Sequence, residues 1–489
     1  MKEYDLIVLG GGAAGEKAAV KAAYFKKKVA LVEKEPNLGG AATTTGTIPS
    51  KTLKETALYF SGKNEKGLYG VEKKLEEKKT DAEMFLHRQR KVTSSENEAM
   101  MNNIIRHKVD LYNGLGSFED AHTIQVTKED GSCEQIRGEN IMIATGSYPF
   151  HPPNIPFDKK RVHDSETILQ IETFPTSICV VGAGVIGSEY TTIFATMGSK
   201  VYLINNSDAI LGFLDREMTQ CLVTEMETEG VEICFNTAVK NMDVPDDPSK
   251  PIHIELQCGK EFDVEMFLFA AGRSGNTSKL NCEAAGVEVG RRELITVDDK
   301  YRTNVPHIWA VGDAIGFPAL ASTSMDQGRV AISHMFDIGD LEGIPEVFPY
   351  GIYTVPEVSM VGITEEEAKK KNLNYCTGRA NYKDTARGKI IGAQSGMMKI
   401  IFDRETLVIL GVHVIGHFAS EVIHYGLSLV DNKKTVKQVV STVFNYPTLH
   451  ALYKHACYDG LGNLAGYKVK RLTCDYVRLD TADIPDYDE

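Results

Sequence analysis

Two glycine-rich turns, each placed between an apolar strand and a helix, constrain the fold of this chain more than any other feature of its sequence. The first turn, residues 10–15, follows the apolar run 4–9 and precedes a helix-forming segment at 16–23. A second apolar run at 29–32 then ends on Glu33. This order of strand, glycine turn, helix, strand and acid is typical of a dinucleotide-binding βαβ unit.

Each glycine of the first turn has a separate task. Gly10 permits the tight turn, Gly12 lets a pyrophosphate approach the backbone, and Gly15 lets helix and strand pack closely. The helix N-terminus offers free N–H groups to the phosphates. Glu33 would accept hydrogen bonds from a ribose diol. We therefore predict that this segment binds a dinucleotide.

The same arrangement returns in the middle of the chain. A strand at 178–181 leads into a turn from Gly182 to Gly187, and a second strand at 201–204 precedes Asn205. The spacing from Gly10 to Glu33 is 23 positions, as is the spacing from Gly182 to Asn205. One glycine fingerprint alone is weak, but two with matched spacing predict two Rossmann-like dinucleotide-binding domains in an α/β chain.

The second copy ends on a neutral residue. A carboxylate at the position of Asn205 would bind the 2′-hydroxyl of NAD and repel the 2′-phosphate of NADP. Asn205, followed by Asn206 and Ser207, can hydrogen-bond either group, and no Arg or Lys follows within that loop. We therefore expect both NAD and NADP as substrates. The alternative is that Asn205 only ends a strand, as Asn often does.

Composition excludes several classes of protein. The net charge of −13 argues against binding to nucleic acid or to an anionic membrane surface. No apolar stretch approaches the roughly 20 residues that span a bilayer. The strand pattern begins at Tyr4, so we expect no signal peptide. The nine cysteines are scattered and odd in number, which favours reduced thiols in a cytoplasmic protein and no metal site.

The segment 37–51 resembles the flavoprotein disulfide reductase family, the group of dihydrolipoamide dehydrogenase and glutathione reductase. In that family the segment reads like G-G-x-C-x-x-x-x-C-I-P-S-K, and its two cysteines form the redox disulfide beside the flavin. In this chain the two positions are Ala42 and Thr47. Neither side chain can form a thiolate, so neither can attack a disulfide. The resemblance thus implies an FAD protein with the scaffold of a disulfide reductase and without its dithiol.

Further motifs extend the resemblance to about residue 465. Ala144-Thr145-Gly146 and Ala271-Gly272-Arg273 look like the family's domain-junction turns, and 310–313 looks like its second flavin motif. The resemblance implies that Asp313 binds the ribityl and phosphate region of FAD. It also implies that Lys51 pairs with Glu189 and places a cation near the flavin, so that these two are the candidate catalytic residues. The alternative is an incidental surface Lys and a helix-capping Glu.

The turns and the resemblance together give one set of predicted cofactor-binding residues: Gly10, Gly12, Ala14, Gly15, Glu33, Lys34, Gly39, Gly40, Ala41, Ala42, Lys51, Gly116, Thr145, Gly146, Gly182, Gly184, Val185, Ile186, Gly187, Asn205, Gly272, Asp313 and Ala321. The domains expected from the resemblance are an FAD-binding domain in two parts (1–150 and 276–346), an NAD(P)-binding domain (151–275), an α+β dimerisation domain (347–465) and an acidic C-terminal tail (466–489).

The dimerisation domain differs from the family's pattern at one motif. In disulfide reductases a stretch like H-P-x-x-x-E in this domain supplies an acid–base His from the partner subunit. Here Tyr446 occupies the His position and Ala451 the Glu position. His450 and His455 lie nearby but out of register, and we interpret both as ordinary helix or interface residues. The resemblance still implies a homodimer or a larger homo-oligomer.

One branch of the family, the soluble pyridine nucleotide transhydrogenases, lacks the second cysteine and the His while keeping both nucleotide sites. The segments 46–51, 203–205, 213–215, 272–277, 351–357 and 444–448 look like that branch. Its members usually retain a cysteine at the position of Ala42. The resemblance implies FAD-dependent hydride transfer between NADPH and NAD. Two alternatives remain open: a diaphorase or oxidase with another electron acceptor, and a non-catalytic flavin-binding protein.

Overall fold

A computed structural model describes residues 1–63, 68 and 81–466 of the chain. These residues form two compact units. Unit 1 comprises Met1–Leu53, Asp81–Thr173 and Ala271–Pro345. Unit 2 comprises residues 54–63 and 68, Phe174–Ala270 and residues 346–466. Apart from Gly466, the predicted acidic tail lies outside the described residues.

The strands, in chain order, are β1 (Lys2–Leu9), β2 (Val29–Glu33), β3 (Asp110–Asn113), β4 (Leu115–Phe118), β5 (Thr123–Thr127), β6 (Cys133–Ile143), β7 (Ser147–Pro149), β8 (Val162–Asp164), β9 (Ser177–Val181), β10 (Lys200–Ile204), β11 (Glu232–Cys234), β12 (Val239–Asp243), β13 (Ile252–Leu256), β14 (Glu261–Val264), β15 (Met266–Phe269), β16 (Arg273–Gly275), β17 (Ile308–Ala310), β18 (Tyr350–Ile352), β19 (Glu357–Gly362), β20 (Tyr375–Asn381), β21 (Met397–Asp403) and β22 (Ile409–Gly416). The helices are α1 (Ala13–Tyr24), α2 (Thr47–Ser61), α3 (Ala82–Arg106), α4 (Val185–Thr196), α5 (Arg216–Thr228), α6 (Ala321–Met335), α7 (Glu365–Lys370), α8 (Ala386–Ile390), α9 (Ala419–Asp431), α10 (Val436–Ser441) and α11 (Ala451–Ala465).

Unit 1 is built on a sheet with the strand order β3-β2-β1-β6-β5-β4, and β17 also pairs with β6. Strands β1, β2, β3, β6 and β17 are parallel, whereas β4 and β5 are antiparallel additions. Leu6 and Val8 of β1 pack on one face, in the core that α1 and α6 cover, while Ile7 and Leu9 pack on the other. Both faces are therefore buried, which explains the unbroken apolar run in this strand.

Unit 2 contains a parallel sheet with the strand order β11-β10-β9-β15 and an antiparallel meander, β12-β13-β14. Its C-terminal part is an antiparallel sheet with the order β18-β19-β22-β21-β20, against which α9 and α11 pack. The predicted fold class, two Rossmann-like parts and a C-terminal α+β domain, is confirmed. Among the described residues no helix is long and apolar enough to cross a membrane.

A buried cluster of charges joins α5 to the C-terminal sheet within unit 2. Lys399 on β21 is 1% exposed. Its Nζ donates to both carboxylate oxygens of Asp215, at 3.0 and 2.9 Å, and lies 3.0 Å from Glu217 and 2.6 Å from Glu365. Arg379 binds Glu217 through two parallel hydrogen bonds of 2.7 and 2.8 Å. Each buried carboxylate thus has a cationic partner, which is the condition under which buried charges are tolerated.

This cluster makes the stability of the fold depend on acidity. Burial acts to raise the pKa of Glu365, but the charge and hydrogen bond of Lys399, together with hydrogen bonds from Lys369 and Tyr375, more than offset it and lower that pKa from its ordinary 4.5 to about 2. A carboxylate with a depressed pKa stabilises the fold above its unfolded pKa, and this stabilisation is lost as the pH falls from about 4.5 towards 2. We expect Glu365→Gln to lower the free energy of unfolding at pH 6 and to do so progressively less as the pH falls through that window. Urea unfolding of both proteins from pH 6 to pH 3 measures this difference, and a pH-independent difference would contradict the assignment.

Candidate functional site

The two glycine turns adopt the same backbone conformation, one in each unit. Gly10 and Gly182 both have φ of +102°, which side chains other than glycine rarely adopt. Gly12 and Gly184 cap α1 and α4 with φ of −77° and −76° and ψ of −167° and −169°. Neither cap carries a side-chain hydrogen bond. The first-turn N–H groups of both helices therefore have no competing side-chain cap, which suits a bound pyrophosphate.

At the last glycine of each turn, a nearby backbone carbonyl group leaves no room for a side chain. A methyl group at Gly15 would lie 1.9 Å from the carbonyl oxygen of Gly10, and one at Gly187 would lie 1.7 Å from that of Gly182. Both distances are far below van der Waals contact. The predicted roles of these glycines in packing helix against strand thus have a direct geometric counterpart in both units.

Unit 1 holds a cavity of about 640 Å³ beside the first turn. The structure brings most of the predicted residues of this unit together on its wall, namely Gly10, Gly12, Ala14, Glu33, Lys34, Gly40, Ala41, Ala42, Gly116, Thr145, Gly146, Asp313 and Ala321. Four predicted residues of this unit, Gly15, Gly39, Lys51 and Gly272, lie outside this wall. Gly15 packs behind the turn, and Gly39 forms a bridge with Gly12.

Glu33 is held in place at the end of β2. Its Oε2 accepts a hydrogen bond from the backbone N–H of Gly11 at 2.7 Å, and its Oε1 accepts one from that of Glu35 at 2.9 Å. Burial raises the pKa of Glu33, which these two backbone hydrogen bonds oppose. Each carboxylate oxygen keeps further acceptor capacity on the cavity wall. This arrangement suits a ribose diol.

Two further polar groups on the wall fit FAD. The hydroxyl oxygen of Thr145 is buried without a hydrogen-bond partner within the described chain, and Thr145 lines the cavity. Asp313 Oδ2 accepts from the hydroxyl of Ser147 at 2.8 Å, and that hydroxyl also accepts from Arg273 Nε at 2.8 Å. Arg273 thereby orients Ser147 towards Asp313, a support that the sequence motifs did not indicate.

The two positions that carry cysteine in disulfide reductases also lie on this wall. Ala42 stands in a short π-helical turn, Ala41–Thr45, and Thr47 begins α2. None of the described residues that line the cavity is a cysteine. The eight cysteines that the structure describes are all free thiols.

Unit 2 holds a groove of about 430 Å³ beside the second turn. Gly184 and Asn205 line it, whereas the other predicted residues of this turn, Gly182, Val185, Ile186 and Gly187, lie outside its wall. Gly272, predicted with them, belongs to unit 1, has φ of +136° and accepts a hydrogen bond from the N–H of Phe150.

Asn205 occupies the same position in its turn as Glu33 does in the first turn, but the two side chains differ in the hydrogen-bonding groups that they leave free. Its Oδ1 accepts from the N–H of Ala183 at 3.3 Å, as Glu33 accepts from Gly11. Its Nδ2 donates to Ser207 Oγ at 2.8 Å and to the Ala209 carbonyl at 2.9 Å, which uses both amide hydrogens. Asn205 can still accept a hydrogen bond from a ribose hydroxyl. The hydrogen-bonding capacity that Asn205 keeps therefore suits a hydroxyl group better than a phosphate, and its role in nucleotide binding stays a prediction.

The groove contains a cation that sequence reasoning missed. Arg216, the first residue of α5, lines it together with Ser207 and Asp208. It lies 11 positions after Asn205, beyond the loop in which an Arg or Lys was sought. In the sequence, only Asp215 indicates that a helix begins at Arg216, because an Asp is a common helix N-cap; its side chain accepts a hydrogen bond from the N–H of Glu217.

The remaining predicted residues are placed as follows. Glu189 on α4 is buried and accepts from the N–H of Tyr353 at 3.0 Å. Lys51 and Glu189 belong to different units, and their pairing stays a prediction. Tyr446 is exposed, whereas His450 packs against Phe444 and Tyr453 in an aromatic group, and burial lowers its pKa. These contacts support the interpretation of His450 as a packing residue.

Comparison with known proteins decides the family. Residues 4–328 match the family "Pyridine nucleotide-disulphide oxidoreductase", and residues 348–457 match its dimerisation domain. The chain belongs to the pyridine nucleotide-disulphide oxidoreductase family. Relatives named "Soluble pyridine nucleotide transhydrogenase" occur in Mycobacterium tuberculosis (42% identity, covering 95% of this chain and 98% of the relative) and Colwellia psychrerythraea (39% identity, covering 94% and 99%).

Solved structures of other proteins share the fold of this chain. The HOCl-induced flavoprotein disulfide reductase RclA from Escherichia coli is 25% identical, with a TM-score of 0.83 over 93% of this chain and 99% of that one. LpdA from Mycobacterium tuberculosis is also 25% identical, with a TM-score of 0.85 over 94% of this chain and 99% of that one.

Among the described residues no group of three or more His, Cys, Asp or Glu side chains could hold a metal ion.

Proposed function

We propose that this protein is an FAD-dependent pyridine nucleotide transhydrogenase, which catalyses NADPH + NAD⁺ → NADP⁺ + NADH and its reverse. The observation that carries the proposal is a cavity and a groove that each lie beside a glycine turn of the same backbone geometry, with no cysteine among the described residues of the cavity's wall. Relatives at 39–42% identity that are named soluble pyridine nucleotide transhydrogenases support the same reaction.

The cavity of unit 1 is the proposed FAD site. Glu33 would accept hydrogen bonds from the ribose of the adenosine half, and the N-terminus of α1 at Gly12 would receive the pyrophosphate. Thr145 and Asp313 would satisfy their free hydrogen-bonding valences on the bound group. When bound, FAD supplies a two-electron carrier that accepts hydride from one nicotinamide and donates it to another.

The groove of unit 2 is the proposed site for the nicotinamide nucleotides, which would occupy it in turn. The N-terminus of α4 at Gly184 would bind the pyrophosphate, and Asn205 would accept a hydrogen bond from a ribose hydroxyl. A methyl group at Gly184 would meet no other atom within 4 Å, so the backbone there is open to a ligand. The reaction releases no electron to a third substrate, so the chain requires no dithiol.

Three further assignments belong to this proposal. Lys51 would place a positive charge close to the reactive ring of FAD and favour its reduced form. The match of residues 348–457 to the dimerisation domain supports a homodimer. Free thiols at the described cysteines, together with relatives named as soluble, support a soluble protein of the cytoplasm.

The test is a pair of assays on the purified flavoprotein. We expect NADPH to reduce a thionicotinamide analogue of NAD⁺, which is followed by the distinct absorbance of the reduced analogue. We expect no turnover of NADH with lipoamide, because a disulfide substrate needs the thiolate that Ala42 and Thr47 cannot provide.

Two results would contradict the proposal. Bleaching of the flavin by NADPH without transfer to the analogue would indicate a different electron acceptor and a diaphorase or oxidase. Bound flavin that neither NADPH nor NADH bleaches would indicate a flavin-binding protein without turnover. A dihydrolipoamide dehydrogenase run in both assays is the control, since it must turn over lipoamide.

A further inference from the structure

A single exposed ion pair stands on the wall of the nucleotide groove of unit 2. Arg216 Nη2 lies 3.4 Å from Asp208 Oδ2, and both side chains are 69% exposed. Asp208 lies in the loop that follows Asn205, and Arg216 begins α5, so the ion pair links this loop to the helix. It is the one ion pair among the described residues that line the groove.

This pair stands where the adenosine ribose is expected. In a dinucleotide-binding βαβ unit the residue that ends the second strand lies at the ribose 2′ position. Asn205 holds that position and lines the same groove as Asp208 and Arg216. The amide hydrogens of Asn205 are already used by Ser207 and Ala209. A 2′-phosphate, which needs donors, must therefore find them elsewhere on this wall.

We infer that Arg216 is the residue that binds the 2′-phosphate of NADP(H), and that Asp208 holds Arg216 when NAD(H) occupies the groove. The inference rests on the proposed function and adds the means by which one groove accepts both nucleotides. With NAD(H) bound, the guanidinium stays on Asp208 and no charge is left without a partner. With NADP(H) bound, it turns to the phosphate, which it can bind through two parallel hydrogen bonds.

The exchange requires little rearrangement. Ion pairs between exposed side chains contribute little to stability, so Arg216 leaves Asp208 readily. A phosphate carries more charge than a carboxylate and offers more acceptor oxygens, so it competes well for the guanidinium. Asp208 then weakens phosphate binding through its own negative charge. The repulsion between Asp208 and the 2′-phosphate limits the affinity for NADP(H), so NAD(H) can still replace it.

The test compares two adenine nucleotides that differ in the 2′-phosphate alone. Adenosine 2′,5′-bisphosphate and adenosine 5′-monophosphate are titrated calorimetrically into the flavin-loaded protein, so no hydride transfer is involved. We expect Arg216→Gln to weaken binding of the bisphosphate about 10- to 50-fold and that of the monophosphate less than about twofold. Asp208→Asn should tighten the bisphosphate roughly two- to fivefold. Arg216→Lys, which keeps the charge but not the planar fork, should fall between wild type and Arg216→Gln.

The matched control is Arg329→Gln. Arg329 is a half-buried residue of α6 that pairs with Asp326 in unit 1 and does not line the groove. It should leave both affinities unchanged. Equal weakening of the two nucleotides by Arg216→Gln, or no change in either, would overturn the inference while leaving the transhydrogenase assay unaffected. Selective loss of the bisphosphate in a protein that fails the transhydrogenase assay would uphold this assignment and overturn the proposed function.

Discussion

Replacing Lys399 with methionine is expected to lower the free energy of unfolding by about 3–5 kcal/mol. The substitution removes the cation shared by Asp215, Glu217 and Glu365 while it keeps most of the unbranched side chain. Asp215 is fully buried and would lose its cationic partner, and a buried charge without a partner costs several kcal/mol. The loss should be largest near neutral pH, where all three carboxylates are ionised.

Unit 1 and unit 2 can be followed separately in this experiment. The single tryptophan of the chain, Trp309, lies in unit 1, so its fluorescence reports that unit. Far-UV circular dichroism during urea unfolding reports both units. We expect the Lys399→Met variant to show an earlier circular dichroism transition.

Lys240→Met is the matched control for that substitution. Lys240 pairs with Glu255 on the exposed meander of unit 2, and its side chain is 55% exposed. Its replacement should change the free energy of unfolding by no more than about 1 kcal/mol. Equal effects of the two substitutions would show that the buried cluster around Lys399 does not stabilise unit 2 and would refute the prediction.

The second large effect is expected at the two crowded glycines. Gly15→Val places a branched side chain against the carbonyl oxygen of Gly10, where even a methyl group would lie at 1.9 Å. The turn must open, and overpacking of this kind costs about 1–3 kcal/mol or more. We expect the purified variant to hold less than roughly a tenth of the flavin of the wild type, measured by its visible absorbance per protein chain.

Gly187→Val makes the same change in the other unit and separates the two sites. It should keep its flavin, because the cavity of unit 1 is untouched, yet NADPH should no longer bleach that flavin. Gly343→Val is the control, since a methyl group at Gly343 meets nothing within 4 Å and this residue lines neither the cavity nor the groove. Loss of flavin from the Gly187 variant, or normal bleaching by NADPH, would show that the two turns do not serve separate ligands.

The sequence alone was sufficient for the features that depend on local spacing. The repeated glycine turn predicted both parallel sheets. The turn requires glycine at its first position, where φ is +102°, and at its last position, where a methyl group would lie within 2 Å of a carbonyl oxygen. The βαβ pattern indicated Glu33 and the resemblance indicated Thr145 and Asp313, and the structure gathers all three on one cavity wall. These residues follow strand ends, and the position of a strand end can be read from the pattern of apolar residues.

Features that depend on long-range packing could not be predicted in this way. Arg216 reaches the groove because α5 begins at its edge, and nothing in the loop after Asn205 indicates that approach. Lys399 and Asp215 are 184 positions apart in sequence. Lys399 is the one cation in the otherwise apolar run 397–402 of β21, and a single lysine in a strand is typical of a solvent-facing position. Its burial becomes clear only once the acids of α5 and α7 are seen to surround it.

Because no described residue of the cavity wall carries a thiol, the proposed flavin site should tolerate reagents that attack thiols. Hydrogen peroxide, hypochlorite, trivalent arsenicals and alkylating agents inactivate dithiol enzymes by attacking a low-pKa cysteine. The alanine and threonine beside the proposed flavin site offer such reagents no sulfur atom to attack. Catalysis at this site should therefore continue under oxidising conditions that inactivate disulfide reductases of the same fold. The exchange of hydride between the NAD(H) and NADP(H) pools would then remain possible during oxidative stress.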